Sequence, residues 1–354
     1  MKTWAGAIAA AACLAASSVA VVAQQGDVHI LPLRGNVYLL VGAGANITLS
    51  VGKEGVLLVD AGTAQMADKV IAAVNELSHE LNAATVARPC AGLGCSGNEF
   101  ASLLGTIASP APPKPIQYII DTSADADHTG GNAKIAAAGT TYGGGPGLGQ
   151  FVGIVRVSAT IYSHENVLER MSAAKAPTAS LPTESYPGDF KQFFNGEGIY
   201  LIHQQAAHSD GDTLVHFRGS DVISAGDVLS TVSYPVFDIA KGGSINGMIA
   251  GLNHLLEIAI AEYQTEGGTL IIPGHGRVCD SADVATYRDM VTIIRDRVQD
   301  AIKRGLTLDQ VKAARLTKDY DPRYDVPTWT KDQFIEAVYR SLSAPAAGSG
   351  EGKK

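Results

Sequence analysis

The stretch that most constrains this chain is residues 121–132, DTSADADHTGGN, which follows directly on the apolar run Ile116–Ile120. A short apolar run of this kind reads as a buried strand. Aspartates, a histidine and paired glycines at its end set chemistry-bearing side chains at the tip of a sheet, and Asn132 stands where it would cap a helix beginning at Ala133. Three later segments repeat the arrangement: His208 in AAHSDGD, Asp227 in SAGDV and His275 in IIPGHG, each after an apolar strand. Taken singly these signals are weak. Asp127 and His128 are ordinary helix-start residues, His208 suits a hydrogen-bonded histidine beside a turn, and PGHG is a common loop composition. Four such loops on four strand ends point to one site.

In this order the segments resemble the metallo-β-lactamase superfamily. Its signature is T-H-x-H-x-D-H-x-G-G-N, then a lone His, an Asp after Gly, and the His of P-G-H-G. The matching residues here are Thr122, Asp127, His128, Gly130, Gly131, Asn132, His208, Asp227 and Pro273 to Gly276. The resemblance implies an α/β fold, the four-layer αββα sandwich, and hydrolysis of a small-molecule substrate. It also implies two metal positions. The family's first two histidines and the one matched by His208 hold the first ion. Asp127, His128 and His275 hold the second, and Asp227 reaches both.

Where the family has those first two histidines, this chain has Ser123 and Asp125. The second position is complete. Its carboxylates and two imidazoles suit zinc with an open place for water, and they also resemble a two-histidine, one-carboxylate iron site. The first position keeps Asp125, His208 and a share of Asp227. Serine is a weak zinc ligand, and carboxylate in place of imidazole makes the site harder, favouring manganese, loosely held zinc or no ion. The expectation is one tight Zn2+ and a second that is weak or absent. Asp127, as ligand and acceptor, would orient the attacking water on a small ester, lactam or β-lactam, lactone, thioester or phosphoester. The altered first position also fits a different class of protein, a catalytically weak or inactive binding protein that has kept the fold. Ser123 with His208 and an aspartate resembles a hydrolytic triad, but no nucleophile-elbow glycines surround Ser123.

The rest of the chain bounds this reading. With 354 residues, 46% hydrophobic and 18% charged, it has a sizeable core and room for one large domain. A net charge of −8 without a basic stripe argues against a nucleic-acid partner. Lys2, the alanine-rich run over 5–22 and Val21-Val22-Ala23 read as a bacterial signal peptide over residues 1–23. The product is then periplasmic or secreted, with no membrane span after cleavage. The residues before Cys13 make a poor lipobox. A domain over 24–343 follows, then a small polar tail over 344–354 that reads as disordered. Cys90 and Cys95, in CAGLGC, can close a small disulfide ring in an oxidising compartment, and Cys279 reads as a small buried thiol.

Strands are expected at 28–33, 37–41, 47–51, 56–60, 116–120, 199–203, 213–217, 222–225 and 269–272, with a further strand and helix through ATIYSHENVLERM. Helices are expected at 66–78, at 245–263 and along the stripe Val284, Tyr287, Val291, Ile294, Val298 and Ile302. Residues 173–188 read as loop, and with 142–149 they are expected to wall the substrate pocket. His164 is expected to bond at a helix start, and His203, His216 and His254 to be structural. That order of elements suits two packed sheets with helices on both outer faces.

Overall fold

Short β-branched runs separated by glycine turns fold into an antiparallel meander: β1 (His29–Arg34), β2 (Val37–Val41), β3 (Ile47–Val51) and β4 (Val56–Val59) pair in sequence. The computed structural model describes residues 26–86, 114–143, 155–261 and 267–343. Three parallel strands extend the meander: β5 (Ile116–Ile120), β8 (Thr160–His164) and β9 (Glu184–Tyr186). Together they make the first sheet, ordered β1-β2-β3-β4-β5-β8-β9. Between β5 and β8, β6 (Thr141–Gly143) and β7 (Val155–Val157) form a separate small ribbon. The second sheet is β10 (Phe190–Phe194), β11 (Glu197–Gln204), β12 (Asp212–Phe217), β13 (Val222–Ser224) and β14 (Leu270–Ile272), antiparallel except for the β13–β14 pair.

Alternation along the strands assigns the layers, because successive side chains leave opposite faces. Leu39, Leu57, Val59 and Ile120 pack between the sheets against Ile199, Leu201, Val215 and Ile272. Leu40, Leu49, Val56 and Leu58 face the other way, onto Val70 and Val74 of the helix Ala67–Val86. On the far side, Leu214, Ile223 and Ile271 pack under the helices Ile245–Ile258 and Ser281–Lys303. The layer order is αββα.

Differences from the sequence reading have local causes. The first helix runs on to Val86 because its stretch past the apolar stripe holds no glycine or proline. Residues 173–188 are not all loop, since they carry a 3-10 turn, Thr178–Ser180, and the edge strand β9. The strand β10 and the helices Leu308–Ala313 and Asp321–Tyr324 are short and had no clear signal, whereas the helix Lys331–Ser343, which buries Phe334, Ile335 and Val338, carried an apolar stripe that the sequence reading missed. Asn132 does not cap. Gly131 is the N-cap of the helix Asn132–Ala138, and Asn132 instead donates from Nδ2 to Asp121 Oδ2 at 2.8 Å and to Ser180 O at 3.2 Å. His164 does bond at a helix start, Nδ1 accepting from Asn166 N, and its ring stacks on His203 at 3.7 Å. His254 bonds Gln204. Cys279 is a free, buried thiol, which burial pushes up to about 12. The leader, the Cys90–Cys95 pair, most of the 142–149 loop and the tail lie outside the described residues. Among those described, no helix is long and apolar enough to cross a membrane.

Candidate metal centre

β4, β5 and β8 run parallel, so the loops leaving their C-terminal ends emerge together. After β5 the chain turns through residues 121–125 into the one-turn helix Ala126–Thr129, which carries Asp127 and His128. Backbone bonds tie this turn to its neighbours: Thr213 N to Thr122 O at 3.0 Å, and Gly131 N to Gly62 O at 2.9 Å. The loop after β14 is braced from the opposite side by Asn46, whose Nδ2 donates to Pro273 O and Gly276 O, both at 2.9 Å. Gly274 lets that loop close on the 3-10 turn Gly226–Val228, since a Cβ there would stand 2.5 Å from Asp227 Oδ1. The signature glycine Gly131 has a similar reason, because its Cβ would meet Ala61 O at 2.2 Å.

All six residues expected from the sequence come together. Among the described residues they form two groups of three possible ligands, Asp127, His128 and His275, then Asp125, His208 and Asp227, with ligand atoms within 4.8 Å of one another in each group. Asp227 joins the groups. Its Oδ2 lies 3.1 Å from His128 Nε2 and 3.9 Å from His208 Nε2, and its Oδ1 lies 3.6 Å from His275 Nε2. His275 Nε2 is 3.1 Å from Asp127 Oδ2, and the His128 and His275 rings stand edge to face. Ser123 forms no triad: its hydroxyl accepts from Asp125 N at 3.3 Å, while His208 Nε2 faces Asp125 Oδ2 at 3.0 Å.

Two residues that the sequence reading missed complete the site. Asp60, just past the end of β4, accepts from Thr122 N at 2.8 Å, from Thr122 Oγ1, and from His128 Nδ1 at 2.9 Å. It does so at φ +67°, a left-handed conformation that aspartate tolerates at a cost of about 1 kcal/mol. A carboxylate ending an apolar strand was a visible signal for it. Lys241 had none. It closes the 3-10 turn Ile239–Lys241 and donates from Nζ to Asp125 Oδ1 at 2.6 Å, across 116 residues of sequence.

The electrostatics are those of a cation site. The His208 hydrogen bond holds the Asp125 carboxyl below the ordinary range against burial, with Lys241 adding to it. His275 does the same for Asp127. Burial alone would raise Asp227, but the charge of His128, with His208 and His275, holds it low. Burial works against charging His128 and His208, yet the facing carboxylates push His128 well up and His208 to about 9. The Asp127 bond raises His275 likewise.

Without metal, the facing carboxylates favour the protonated form of the imidazoles. His208 contributes stability that is fully present below about pH 6.5 and lost as pH rises through about 9. Asp212, raised by burial to about 6, loses its contribution in the same direction from lower pH. Thermal unfolding of chelator-stripped protein should therefore show a midpoint that falls between about pH 6 and pH 9. Metal affinity should rise with pH, because the ion must displace the protons that the facing carboxylates favour on His128 and His275. A midpoint that rises with pH in stripped protein would contradict this assignment.

Residues 33–316 match the family model of the metallo-beta-lactamase superfamily. The chain belongs to that superfamily. Among solved structures it is similar to a double mutant of the sec-alkyl sulfatase PisA1, at 14% identity and a TM-score of 0.54, over 88% of this chain and 50% of that one. The chain thus spans half the length of the sulfatase. It is also similar to a metallo-beta-lactamase from Pontibacter korlensis, at 12% identity and TM-score 0.46, and to the DIM-1 metallo-beta-lactamase, at 11% and 0.49. Each of these two likenesses covers 75% of this chain, and 99% and 98% of the other chain respectively. At such identities the likeness concerns the fold. No curated protein matches the chain.

Metallo-beta-lactamase-fold proteins typically bind metal ions, and the two positions here answer that expectation differently. The second fits. His128 is fully buried, Asp60 takes its Nδ1, and its Nε2 has no hydrogen-bond partner although Asp227 is near, which is the state of an imidazole nitrogen built to face a cation. The first does not fit in the same way, because Lys241 already neutralises Asp125.

Proposed function

We propose that the chain is an exported hydrolase working with one divalent ion, zinc by preference, held by Asp127, His128, His275 and Asp227. The observation that carries this reading is the convergence of those four side chains around the unpartnered Nε2 of His128. Iron and manganese are the alternatives for a set of two imidazoles and carboxylates. Bound there, the ion supplies Lewis acidity and an acidified water.

The protein's own groups do the rest. Asp60 fixes the His128 tautomer by accepting from Nδ1. The Val236 carbonyl does the same for His208, 3.0 Å from Nδ1. Asp127 is half-exposed at the rim, unlike buried His128, so it can meet both water and substrate and orient the water by accepting its hydrogen bond. The substrate class is a small ester, lactam or β-lactam, lactone or phosphoester. The sulfatase likeness adds sulfate esters to those worth testing.

The test is hydrolysis of a chromogenic panel spanning those classes by purified mature protein, with metal content measured alongside. Turnover should vanish on chelation and return with zinc. A second reading, an inactive binding protein, is favoured by the engagement of Asp125 with Lys241. It is the outcome if metal is held and no member of the panel is turned over. Export is tested separately. Cleavage after Ala23 predicts that the extracytoplasmic protein begins at Gln24, and an intact Met1 there would overturn it.

A further inference from the structure

The donor atoms of Asp125, His208 and Asp227 lie close enough to hold an ion, yet the Asp125 carboxylate is already paired with a cation. Lys241 Nζ is 2.6 Å from Asp125 Oδ1, and Asp125 Oδ2 faces His208 Nε2 at 3.0 Å, so both oxygens of that carboxylate are engaged. Ser123, in the place of a family histidine, spends its hydroxyl on its own loop. The lysine is delivered by backbone structure that does not depend on its side chain. Asp238 N donates to His208 O at 2.8 Å, Asp238 Oδ1 accepts from Ala240 N, and the Lys241 carbonyl accepts from Asp210 N and Arg170 Nη2. This turn is therefore locked to the His208 loop, and its last side chain reaches back to Asp125. Asp238 Oδ2, 3.6 Å from Nζ, is the other carboxylate near the ammonium.

We infer that Lys241 is the resident cation of the first position: its tethered ammonium neutralises Asp125 through Oδ1 and so keeps the centre mononuclear. The inference rests on the single-ion reading above. It couples the two departures from the family pattern with a residue outside that pattern. Two histidines are replaced by Ser123 and Asp125, and the new carboxylate is matched by a lysine from a distant turn. A neutral imidazole at position 125 would leave the ammonium only the more distant Asp238 carboxylate, at 3.6 Å. A carboxylate there without the lysine would leave an oxygen-rich set open to a divalent ion. Lys241 is thus a positioning residue, acting through Asp125 on His208 and on the shared Asp227.

The experiment counts metal. Mature wild-type protein and the variants Lys241→Met, Lys241→Gln and Lys241→Arg are dialysed against a weak chelator. Each is then analysed for zinc and manganese and titrated with each ion in competition with a chromophoric chelator. Wild type should hold one tight ion per chain. Lys241→Met and Lys241→Gln should take up a second at least about tenfold more tightly than wild type does, because the repelling charge is gone. Lys241→Arg, which keeps the charge, should stay at one. Gln is included so that failure of the Met variant to fold leaves the test intact. If the neutral variants bind no more metal than wild type, or Lys241→Arg gains the second ion equally, Lys241 is not the resident cation and the single-ion reading survives. Wild-type protein holding no tight ion would instead overturn the single-ion reading and this inference with it.

Discussion

His275→Ala should strip the protein of its tightly held ion and abolish metal-dependent hydrolysis while leaving the metal-free fold intact. His275 sits on the loop after β14, with its side chain 36% exposed, so its removal opens no core cavity. Its Nε2 faces Asp127 Oδ2 at 3.1 Å and Asp227 Oδ1 at 3.6 Å, which makes it the outer of two imidazoles around one position. Losing a residue that merely orients a ligand typically costs 10–100-fold in metal affinity. Loss of the ligand itself should cost at least about 100-fold, or roughly 2.7 kcal/mol. Elemental analysis after dialysis against a weak chelator reads the effect, and the unfolding midpoint of stripped protein controls for the fold. Retention of full metal content by the variant would show that the ligand set is wrong.

Asp60→Ala should do the reverse, damaging the fold and the centre together. The carboxylate is the acceptor for Thr122 N, Thr122 Oγ1 and His128 Nδ1, all buried. Alanine leaves two fixed N–H donors without partners, at about 1–3 kcal/mol each. It also places an ordinary side chain at φ +67°, which adds about 1 kcal/mol. A loss of about 3–5 kcal/mol is expected, together with 10–100-fold weaker metal binding as His128 loses its enforced tautomer. Asp60→Asn suits the backbone better and keeps one acceptor oxygen, so it should recover part of the stability and little of the metal affinity. Denaturant unfolding of stripped protein and metal competition separate the two effects. A variant unchanged in both would remove Asp60 from the site.

Lys241 and Asp60 show where reading the sequence ran out. The clustering of the six expected residues was legible because each follows an apolar strand or lies in a loop of recognisable spacing, and the family's order tied them together. Asp60 carried half of that signal, a carboxylate after β4, but no imidazole or glycine pattern marked its partner. Lys241 carried none, since nothing in residues 238–243 refers to Asp125. The same limit explains Asn132. An amide before an alanine-rich helix is a reasonable cap locally, and only the neighbouring Asp121 and Ser180 carbonyl, brought in by β5 and the Thr178–Ser180 turn, draw it elsewhere.

What this sequence determined by itself was the layer order and which chemistry-bearing side chains gather at the strand ends. Hydrophobic periodicity decides which face of a strand or helix is buried, and ligand-bearing loops follow from where strands end. What the tertiary structure alone decided was the charge state of that site. Whether Asp125 is open to a metal ion or paired to an ammonium depends on which side chain arrives 2.6 Å away from a turn 116 residues distant. Electrostatic interaction falls with distance in space, and sequence separation does not encode that distance.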